Sequence, residues 1–429
     1  MMAQELKCLA LIGCGDERYR SYLLEQISEG YDIWLIDTAE PTWQRTRLRG
    51  ATRIEAFRPD LIEAAVADLM QDGGLDGIVC WDERYVLVAA DCAALFRLPT
   101  PGALGIRGCR DKALCRTRLT EAGLPQPRSR QCYDAEDAAS FAETVGYSCV
   151  VKPRDMGGSI GVALVTGPAD LRQAFGRAQA ASRSGSDRSL TGVLVEEFIA
   201  EGPEISIDGI YFSGRYTPLF VGRKSVGMAP FFEEIAHLVD AADPLLDDAV
   251  LRDVLNRAHA AICFGDGITH TELKLTANGP VIIEINGRLG GDFIPWLATL
   301  AMGMRPGLLA GQVAAGDPVT LPSRGAGRGC AAIAFRYPDR NLTVAEVMAP
   351  EARILGLAQG SATRLARPGD IVGLPPEHHL GRVGYAIAHG PDPADCVTLA
   401  ASLATEFDWR AATPSGTGTT VGALSTSEI

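Results

Sequence analysis

Two apolar segments in the second half of the sequence carry polar side chains at every second position. Residues 281–291 read VIIEINGRLGG, in which the alternate polar residues are Glu284, Asn286 and Arg288. Residues 268–275 read ITHTELKL, in which they are His270, Glu272 and Lys274. Because successive side chains of a β-strand point to opposite faces, each set lies on one face of its strand, with neighbours about 7 Å apart. Carboxylates, an amide and cationic groups gathered in this way could bind a metal ion together with an anion.

The sequence TANGP joins the two segments and predicts a hairpin turn. A three-residue loop would place Glu272 directly opposite Glu284, whereas a two-residue Asn-Gly loop would place Glu272 opposite Ile285, on the wrong face. We favour the three-residue loop because Pro280 is a poor ladder residue and a one-residue slip would turn the charged set toward the core. The pattern therefore predicts two glutamates facing each other across the hairpin.

Two facing carboxylates need compensation, since charges about 5 Å apart repel by about 3 kcal/mol at an effective dielectric constant near 20. A shared proton, a salt bridge to Lys274 or Arg288, or a hard divalent cation would each supply it. Such cations prefer clustered oxygen ligands and are commonly held by carboxylates together with substrate phosphates, and Asn286 offers a further neutral oxygen. An ordinary solvated hairpin face with ion pairs is the alternative interpretation.

Two lysines and a glycine loop could bind phosphate. Lys152 lies near the carboxyl end of the apolar run SCVVKP, and the loop GGSIG follows at residues 157–161. Backbone N–H groups of such a loop can close over an anion. Lys112 begins a helical segment upstream. The P-loop pattern is absent from the sequence, and either lysine alone could be an ordinary surface residue.

The segment VLVEEFIAEGPEIS could bind a nucleoside. Its apolar strand leads into acidic and apolar residues whose backbone and side chains suit a purine ring, namely Glu196, Glu197, Phe198 and Ile199. Glu204 follows a Gly-Pro turn and could accept hydrogen bonds from ribose hydroxyls. Taken alone, the segment is also compatible with a hairpin that carries exposed acids.

The first hundred residues alternate apolar runs with amphipathic stretches, which predicts a parallel sheet with right-handed crossovers. Gly13 and Gly15 begin like a dinucleotide fingerprint, but Arg18 stands where the third glycine belongs, so we interpret the segment as a tight strand-to-helix turn. Open sheets bind ligands at the carboxyl ends of their strands. Asp82 and Glu83, which follow the run GIVCW, are therefore candidates for contact with a substrate.

Composition excludes several classes of partner. The formal net charge of −13 argues against nucleic acid or an anionic membrane. The 11 cysteines occur without a CxxC pair, as in a cytosolic protein with reduced thiols. The N-terminus lacks the apolar core of a signal peptide, and no run approaches the roughly 18 apolar residues of a membrane span. We therefore expect a cytoplasmic protein.

The ordered set DK, KP with GGSIG, EEFI with GPE, HTELK and EINGRLGG resembles the ATP-grasp superfamily. Within it the chain looks like the carboxylate–amine ligases called L-amino acid ligases, since FRYPDRNL and RPGDIVGLPPEHHLGRVGYAIAHG look like their C-terminal domain. The resemblance implies an α/β and α+β fold. The implied units are a Rossmann-like parallel-sheet domain (1–109), an ATP-grasp subdomain with a phosphate lid loop (110–190), a subdomain with the metal and substrate site (191–323) and a C-terminal α/β domain (324–410). Residues 411–429 lack any apolar period, so their composition predicts a disordered tail.

The resemblance also implies how ATP is bound. Its phosphates would contact Lys112 and Lys152 beneath a lid loop that contains Gly157, Gly158 and Ser159. The adenine hinge would involve Glu196, Glu197, Phe198 and Ile199, and the ribose would bind Glu204. Two magnesium ions, replaceable by Mn²⁺, would be held by Glu272, Glu284 and Asn286.

The resemblance implies an ADP-forming ligation in which a carboxylate and an amine, expected to be amino acids or amino-acid-like molecules, are joined through an acyl phosphate. Arg288 would steady the transferring phosphoryl group and the acyl phosphate, and His237 would reach the same region. Such chemistry requires charge neutralisation and no covalent enzyme nucleophile. The substrate pocket would involve Glu83, Arg288, Gly290, Gly291, Asp292 and Trp296. Asp292 fits a cationic or amino-bearing substrate, or alternatively the N-cap of the helix in FIPWLATLAMG.

Other members of the same superfamily provide the alternatives. A carboxylase or formate-activating enzyme would lack the ligase-like C-terminal segment. A non-catalytic ATP-binding regulator would have no need of the full set of Glu272, Glu284, Asn286 and Arg288. We therefore expect an enzyme that acts on a small-molecule carboxylate and amine, with no nucleic-acid or membrane partner, and we leave a homodimer open.

Overall fold

The N-terminal part of the chain forms a parallel sheet. The structure is a computed structural model that describes residues 6–185, 188–319, 321 and 329–412. The first strands are β1 (Cys8–Ile12), β2 (Asp32–Asp37), β3 (Gly50–Arg53) and β4 (Gly77–Val79), and the helices are α1 (Glu17–Ile27), α2 (Pro59–Asp72), α3 (Val86–Leu95) and α4 (Ala103–Arg110). The strand order is β3-β2-β1-β4 with parallel neighbours throughout. The predicted parallel sheet is therefore confirmed.

The turn from β1 into α1 is tight. Gly13 and Gly15 have φ angles of 65° and 77°, in the left-handed region that glycine adopts without a steric penalty. Asp16 caps α1 by accepting a hydrogen bond from the backbone N–H of Arg18 at 2.8 Å. The Arg18 side chain also binds Asp16, with 2.6 Å between Nη2 and Oδ2. This geometry confirms the predicted strand-to-helix turn.

A second, antiparallel sheet follows. It consists of β5 (Ser129–Cys132), β6 (Cys149–Pro153), β7 (Ala163–Val165) and β8 (Val193–Glu197) in the order β5-β8-β6-β7. The helices of this part are α5 (Lys112–Glu121), α6 (Ala135–Val145) and α7 (Pro168–Arg183). Residues 154–162 connect β6 to β7 and include the predicted lid loop.

The largest sheet has nine strands and draws on the rest of the chain. Its central strands are β9 (Glu204–Phe212), β10 (Arg215–Gly227), β11 (Glu233–Asp240), β12 (Gly267–Thr276) and β13 (Gly279–Asn286), accompanied by α8 (Ala249–Ala261), α9 (Ile294–Met302) and α10 (Pro306–Ala314). The C-terminal elements are β14 (Cys330–Arg336), β15 (Leu342–Met348), β16 (Arg353–Leu355), β17 (Ala358–Arg364), β18 (Ile371–Val372), β19 (Gly384–Gly390), α11 (Pro393–Thr405) and β20 (Asp408–Ala411). The nine strands run in the order β13-β12-β9-β10-β11-β14-β19-β17-β16, and β18-β15-β20 form a small separate sheet.

Two structural observations bear on the predicted domain boundaries. Strand β14 pairs with β11, so the sheet continues across the boundary expected at residue 324. Ala411, expected to begin a disordered tail, is the last residue of β20, while residues 413–429 lie outside the described part of the chain. The start of the tail was therefore placed too early, and the domain boundaries themselves stay predictions.

One buried cluster joins the N-terminal sheet to the nine-stranded sheet. It contains Leu23 of α1, Leu35 of β2, Leu297 of α9 and Ile333 of β14, all almost fully buried. Packing of this density fixes neighbouring elements with little freedom, so α1 and α9 are held at defined positions relative to each other. Within the described ranges, no helix combines the length and the apolar character that crossing a bilayer requires.

Candidate active site

The hairpin of β12 and β13 carries the two predicted glutamates opposite each other. Glu272 pairs with Glu284, as predicted. The predicted loop is wrong, because β12 ends at Thr276 and β13 begins at Gly279, which leaves a two-residue turn. A register shift between Glu272 and Leu273 then restores the pairing. A β-bulge, rather than a longer loop, therefore brings the carboxylates to one face.

The compensating charges come from lysines that were not expected in this role. Glu272 Oε2 lies 3.0 Å from Lys224 Nζ, and Glu284 Oε1 lies 3.1 Å from Lys112 Nζ. Lys224 on β10 also contacts Glu204 at 3.2 Å and Glu234 at 2.5 Å. Burial alone would lower the pKa of Lys224, but the three carboxylates outweigh it and raise that pKa well above its ordinary value. Among the alternatives, a salt bridge is present, with partners other than Lys274 and Arg288.

The two lysines predicted to bind phosphate are buried, so the surface alternative is wrong. Lys112 donates a hydrogen bond at 2.6 Å to the carbonyl of Met156, which precedes the lid glycines. Lys152 Nζ lies 2.6 Å from Glu196 Oε2. Lys112 is only 7% exposed and Lys152 only 5%. Both ammonium groups are therefore held in place near the lid before any ligand binds.

Glu196 holds cations instead of facing an open hinge. Its carboxylate accepts a hydrogen bond from Arg116 Nε at 2.8 Å and contacts Lys152. Arg116 also donates to the carbonyl of Ile283 on β13 at 2.6 Å. Burial by itself would raise the pKa of Glu196, but the two cations hold it at about 2. Glu196 therefore holds Lys152 and Arg116 in place, and a contact between Glu196 and adenine stays a prediction.

The remaining hinge candidates lie near the end of β8 and the start of β9. Glu197 pairs with Arg128 at 3.0 Å near the surface. Phe198 lies beside Phe232, with 6.3 Å between ring centroids, and Ile199 is half-buried. Glu204 faces Lys224. Contacts of these residues with adenine or ribose stay predictions.

A cleft opens between the N-terminal sheet, the lid loop and the nine-stranded sheet. The lid residues Gly157, Gly158 and Ser159 all line it. A Cβ atom on Gly157 would lie 3.6 Å from the side chain of Glu83, and one on Gly158 would lie 3.7 Å from that of Leu380. The lid therefore spans from the N-terminal part of the molecule to the C-terminal part. The lining also includes Arg20, Asp82, Glu83, Arg84, Arg110, Glu234, His270, Glu272, Arg288, Gly291 and Asp292.

Arg288 shares a carboxylate with a second arginine. Glu83 forms ion pairs with Arg288 Nε and, at 2.8 Å, with Arg110 Nη1. Burial alone would raise the pKa of Glu83, but the guanidinium groups of Arg288 and Arg110 outweigh it and lower that pKa to about 2. Glu83 thus fixes the predicted catalytic arginine at the cleft wall, while its predicted substrate contact stays a prediction.

Asp292 is already paired with an arginine from the C-terminal part of the chain. Its carboxylate accepts two hydrogen bonds from Arg382, at 2.8 and 2.5 Å. It does not cap α9, because the N-cap residue is Phe293. His237 Nε2 lies 3.1 Å from Glu234 and 3.6 Å from Asp292, so it contacts two carboxylates of the cleft wall. The N-cap alternative is wrong, and a cationic substrate would have to compete with Arg382 for Asp292.

Gly290 and Trp296 are not among the residues that line the cleft. The backbone N–H of Gly290 donates to Asp208 at 2.6 Å, and a Cβ atom at this position would lie 2.7 Å from the ring of His270. Trp296 packs on Tyr22, with 5.3 Å between ring centroids, and does not line the described cleft. These placements do not support the predicted substrate contacts of Gly290 and Trp296. Asn286 is buried on β13 opposite His270.

Sequence patterns did not identify several charged residues of the site. Lys224, Arg20 and Arg382 lie on β10, on α1 and before β19, far apart in sequence from the hairpin. His270 was noted only for its position on the strand. Burial lowers the pKa of His270, but Asp208 and Glu272 outweigh this effect and raise it to about 9. Arg382 is an isolated charge in the stretch HLGRVGYA, which was the available signal, whereas Arg20 and Lys224 lie next to other charged residues and give no such signal.

This chain is similar to several known proteins. The ATP-grasp domain family matches residues 145–295, which contain the lid and the hairpin. Carnosine synthase 1 of Homo sapiens is 30% identical over 282 residues, which cover 62% of this chain and 34% of that protein. Alanine–anticapsin ligase of Bacillus subtilis (strain 168) is 26% identical over 242 residues, which cover 52% of this chain and 50% of that protein. The match spans half or less of the length of these two relatives.

A solved structure extends the similarity to nearly the whole chain. The crystal structure of an L-amino acid ligase from Bacillus licheniformis superposes with a TM-score of 0.79 at 21% sequence identity. The superposition covers 96% of this chain and 100% of that one. At this level of identity the likeness shows the fold alone, and it confirms the predicted combination of parallel and antiparallel sheets.

Proposed function

We propose that this chain, which carries an ATP-grasp domain at residues 145–295, is an ADP-forming carboxylate–amine ligase that joins two amino acids or amino-acid-like molecules through an acyl phosphate. The observation that carries the proposal is the pairing of Glu272 with Glu284 on one hairpin face. Lys112, which contacts Glu284, also reaches the carbonyl that precedes the lid. The named relatives, a carnosine synthase and an alanine–anticapsin ligase, support the same class of reaction.

The donor groups fit a divalent metal ion. Glu272 and Glu284 offer carboxylate oxygens, and Asn286 offers a neutral oxygen on the same strand as Glu284, a set that hard cations such as Mg²⁺ prefer. These three residues would hold the metal, and we propose two magnesium ions, replaceable by Mn²⁺. The metal would supply neutralisation of the charge on the phosphates of ATP. Lys112 and Lys152 would bind those phosphates as preformed cations.

The residues around the cleft would then position the reacting groups. Arg288, held by Glu83, places a guanidinium group where the activated carboxylate carries negative charge. The lid residues Gly157, Gly158 and Ser159 line the cleft, and closure over the substrates would exclude water, which would otherwise hydrolyse an acyl phosphate. The amine attacks the activated carbonyl directly, so the reaction needs no nucleophile from the chain. We place this reaction in the cytoplasm, in agreement with the 11 free cysteines.

The proposal is tested by a screen of phosphate release. The protein, MgATP and pairs of L-amino acids are incubated, free phosphate is measured, and the products are identified by mass spectrometry. We expect ADP and phosphate only when a carboxylate and an amine substrate are both present. Release of AMP and pyrophosphate, or phosphate release that depends on bicarbonate or formate alone, would reject this ligase mechanism.

A single carboxylate tests the metal assignment. Glu284→Gln keeps the size of the side chain but removes its charge, so turnover should fall at least about a hundredfold, because a metal ligand in phosphoryl transfer is lost. Glu201→Gln is the matched control, since Glu201 accepts a hydrogen bond from Ala277 at the turn of the same hairpin, outside the cleft. Circular dichroism should show both variants folded. Wild-type turnover of Glu284→Gln would remove the metal assignment.

A further inference from the structure

Arg20 on α1 reaches the cleft from the N-terminal sheet. The residue is 8% exposed and lines the cleft together with Arg288 and the lid. Its position depends on the preceding turn, because a Cβ atom on Gly15 would lie 3.1 Å from Arg20 Cγ. A larger residue at position 15 would need a strained backbone and would also press on the arginine. Gly15 therefore leaves the space that the Arg20 side chain occupies.

Within the described residues, the guanidinium group of Arg20 has no hydrogen-bond or ion-pair partner, although its backbone N–H donates to Asp16. The other arginines of the cleft lining each have a carboxylate. Arg84 pairs with Asp82 at 2.5 Å, and Arg110 and Arg288 share Glu83. Asp292, the other acid near Arg20, is held by Arg382. Arg20 is the member of this arginine group whose charge the described protein leaves unmatched.

An unmatched buried cation is costly for the folded protein, because it loses hydration without gaining a partner. Burial lowers the pKa of Arg20, and the like charge of Arg288 lowers it further. The two guanidinium groups thus make this end of the cleft attractive to an anion. A guanidinium group can donate two parallel hydrogen bonds to a carboxylate, which distinguishes it from a lysine.

We propose that Arg20 binds the carboxylate of the amine substrate, the one that is not activated, so that this substrate is an amino acid and not a simple amine. The inference rests on the proposed function, in which Arg288 and the hairpin acids serve the activated carboxylate and ATP. Lys112 and Lys152 provide cations for the phosphates from the lid side of the cleft. Arg20 stands on a different element and supplies the charge for a second, separate anion.

The experiment compares acids with their carboxamides. Once the screen yields an active pair, mass spectrometry shows which member was acylated on its amino group. That amino acid and its carboxamide are then used as amine substrates with the wild type and with Arg20→Gln. We expect the wild type to prefer the acid in kcat/KM by about ten- to a hundredfold, the range of hydrogen bonds to a charged group. Arg20→Gln should lose this preference, chiefly through the KM of the amine substrate.

Two controls separate this role from a general defect. Arg18→Gln removes another arginine of α1, which binds Asp16 and the carbonyl of Leu365 outside the cleft, and it should keep the preference for the acid. In Arg20→Gln, the KM values of ATP and of the carboxylate substrate should stay within about twofold of the wild type. An unchanged preference in Arg20→Gln overturns the proposal. So does an equal rise in all three KM values, which would show a structural or phosphate-binding role.

Binding measurements distinguish failure of this inference from failure of the proposed function. If no pair of amino acids releases phosphate with the wild type, the ligase proposal fails. Calorimetric titration with each L-amino acid and its carboxamide, in the presence of MgADP, then decides on Arg20 alone. Carboxylate-dependent binding that Arg20→Gln abolishes supports the site. Binding that is equal in both proteins, or no binding of any amino acid to the wild type, overturns it.

Discussion

Two charge clusters at the cleft have opposite composition. In the acid-rich cluster, Lys224 contacts three carboxylates, those of Glu204, Glu234 and Glu272. In the base-rich cluster, three guanidinium groups accompany one carboxylate, because Glu83 pairs with Arg110 and Arg288 while Arg20 lines the cleft near Arg288. Each cluster therefore holds two more charges of one sign than of the other. Two histidines also contact this cluster, His237 beside Glu234 and His270 beside Glu272. Because His270 also pairs with the carboxylate of Asp208, an excess of negative charge remains when both histidines are protonated.

The difference indicates which ligand each cluster suits. An excess of carboxylates is relieved by cations, such as metal ions, and an excess of guanidinium groups is relieved by anions, such as carboxylates. A ligand with phosphate-bound metal at one end and carboxylates at the other would match both. One cluster thus lacks cations and the other lacks anions. Replacing Lys224 in the first and Glu83 in the second should show how far each excess of charge affects stability.

The largest effect is expected from Lys224→Met in the acid-rich cluster. Removing the buried ammonium group leaves three half-buried glutamates without their shared partner, and loss of one partner from a buried ion pair costs about 3–5 kcal/mol. Unfolding in urea should show this loss of stability. Added Mg²⁺ should restore more stability to the variant than to the wild type, since the freed carboxylates can bind it.

Lys274→Met is the control for this prediction. Lys274 lies on β12 next to the same strands, but it is not the residue that compensates Glu272. Its replacement should change the free energy of unfolding by no more than about 0.5 kcal/mol. Equal losses in the two variants would show that the acid-rich cluster has no special dependence on Lys224.

The second-largest effect is expected in the pH dependence of stability, through Glu83 in the base-rich cluster. The pKa of Glu83 is about 2 in the folded protein, against an ordinary value of 4.5. A depressed carboxyl pKa contributes stability that is complete above the unfolded value and is lost as the pH falls through the folded value. Glu83 should therefore contribute about 3 kcal/mol above pH 4.5, and this contribution should disappear between about pH 4.5 and 2.

Glu83→Gln isolates that contribution. Chemical denaturation of the variant across this pH range should show a weaker dependence of stability on pH than the wild type shows. Glu121→Gln, at an exposed position at the end of α5, should keep the wild-type dependence. An unaltered pH profile in Glu83→Gln would mean that Arg110 and Arg288 do not hold this carboxylate ionised.

Local patterns were sufficient for much of the fold. Alternation along β12 and β13 predicted the facing of Glu272 and Glu284, and the Gly13–Gly15 segment predicted the turn before α1. The two-residue turn and compensating bulge were not predicted, because several loop and bulge combinations give the same pairing. The continuation of the central sheet into β14 was missed as well, since a strand sequence does not specify which distant edge it joins.

The site was predictable where its residues belong to recognisable sequence motifs. Lys112, Lys152 and the lid glycines were identified and lie near the hairpin or the cleft. Lys224, Arg20 and Arg382 were missed, because their importance comes from partners on other elements. Asp292 illustrates the limit, since nothing in its neighbourhood indicates a salt bridge to a residue 90 positions later. Charge balance is a property of the assembled cleft, and a single strand does not reveal it.

The smallest effect is expected at a balanced pair. Arg128 and Glu197 form one ion pair near the surface, with 58% and 33% of their side chains exposed. Arg128→Gln should change the free energy of unfolding by less than about 1 kcal/mol, because exposed pairs are solvated whether or not they form. The measurement is urea unfolding, beside Lys224→Met. A loss as large as that of Lys224→Met would show that ion pairing itself, and not the unmatched charge at the two ends of the cleft, determines stability in this protein.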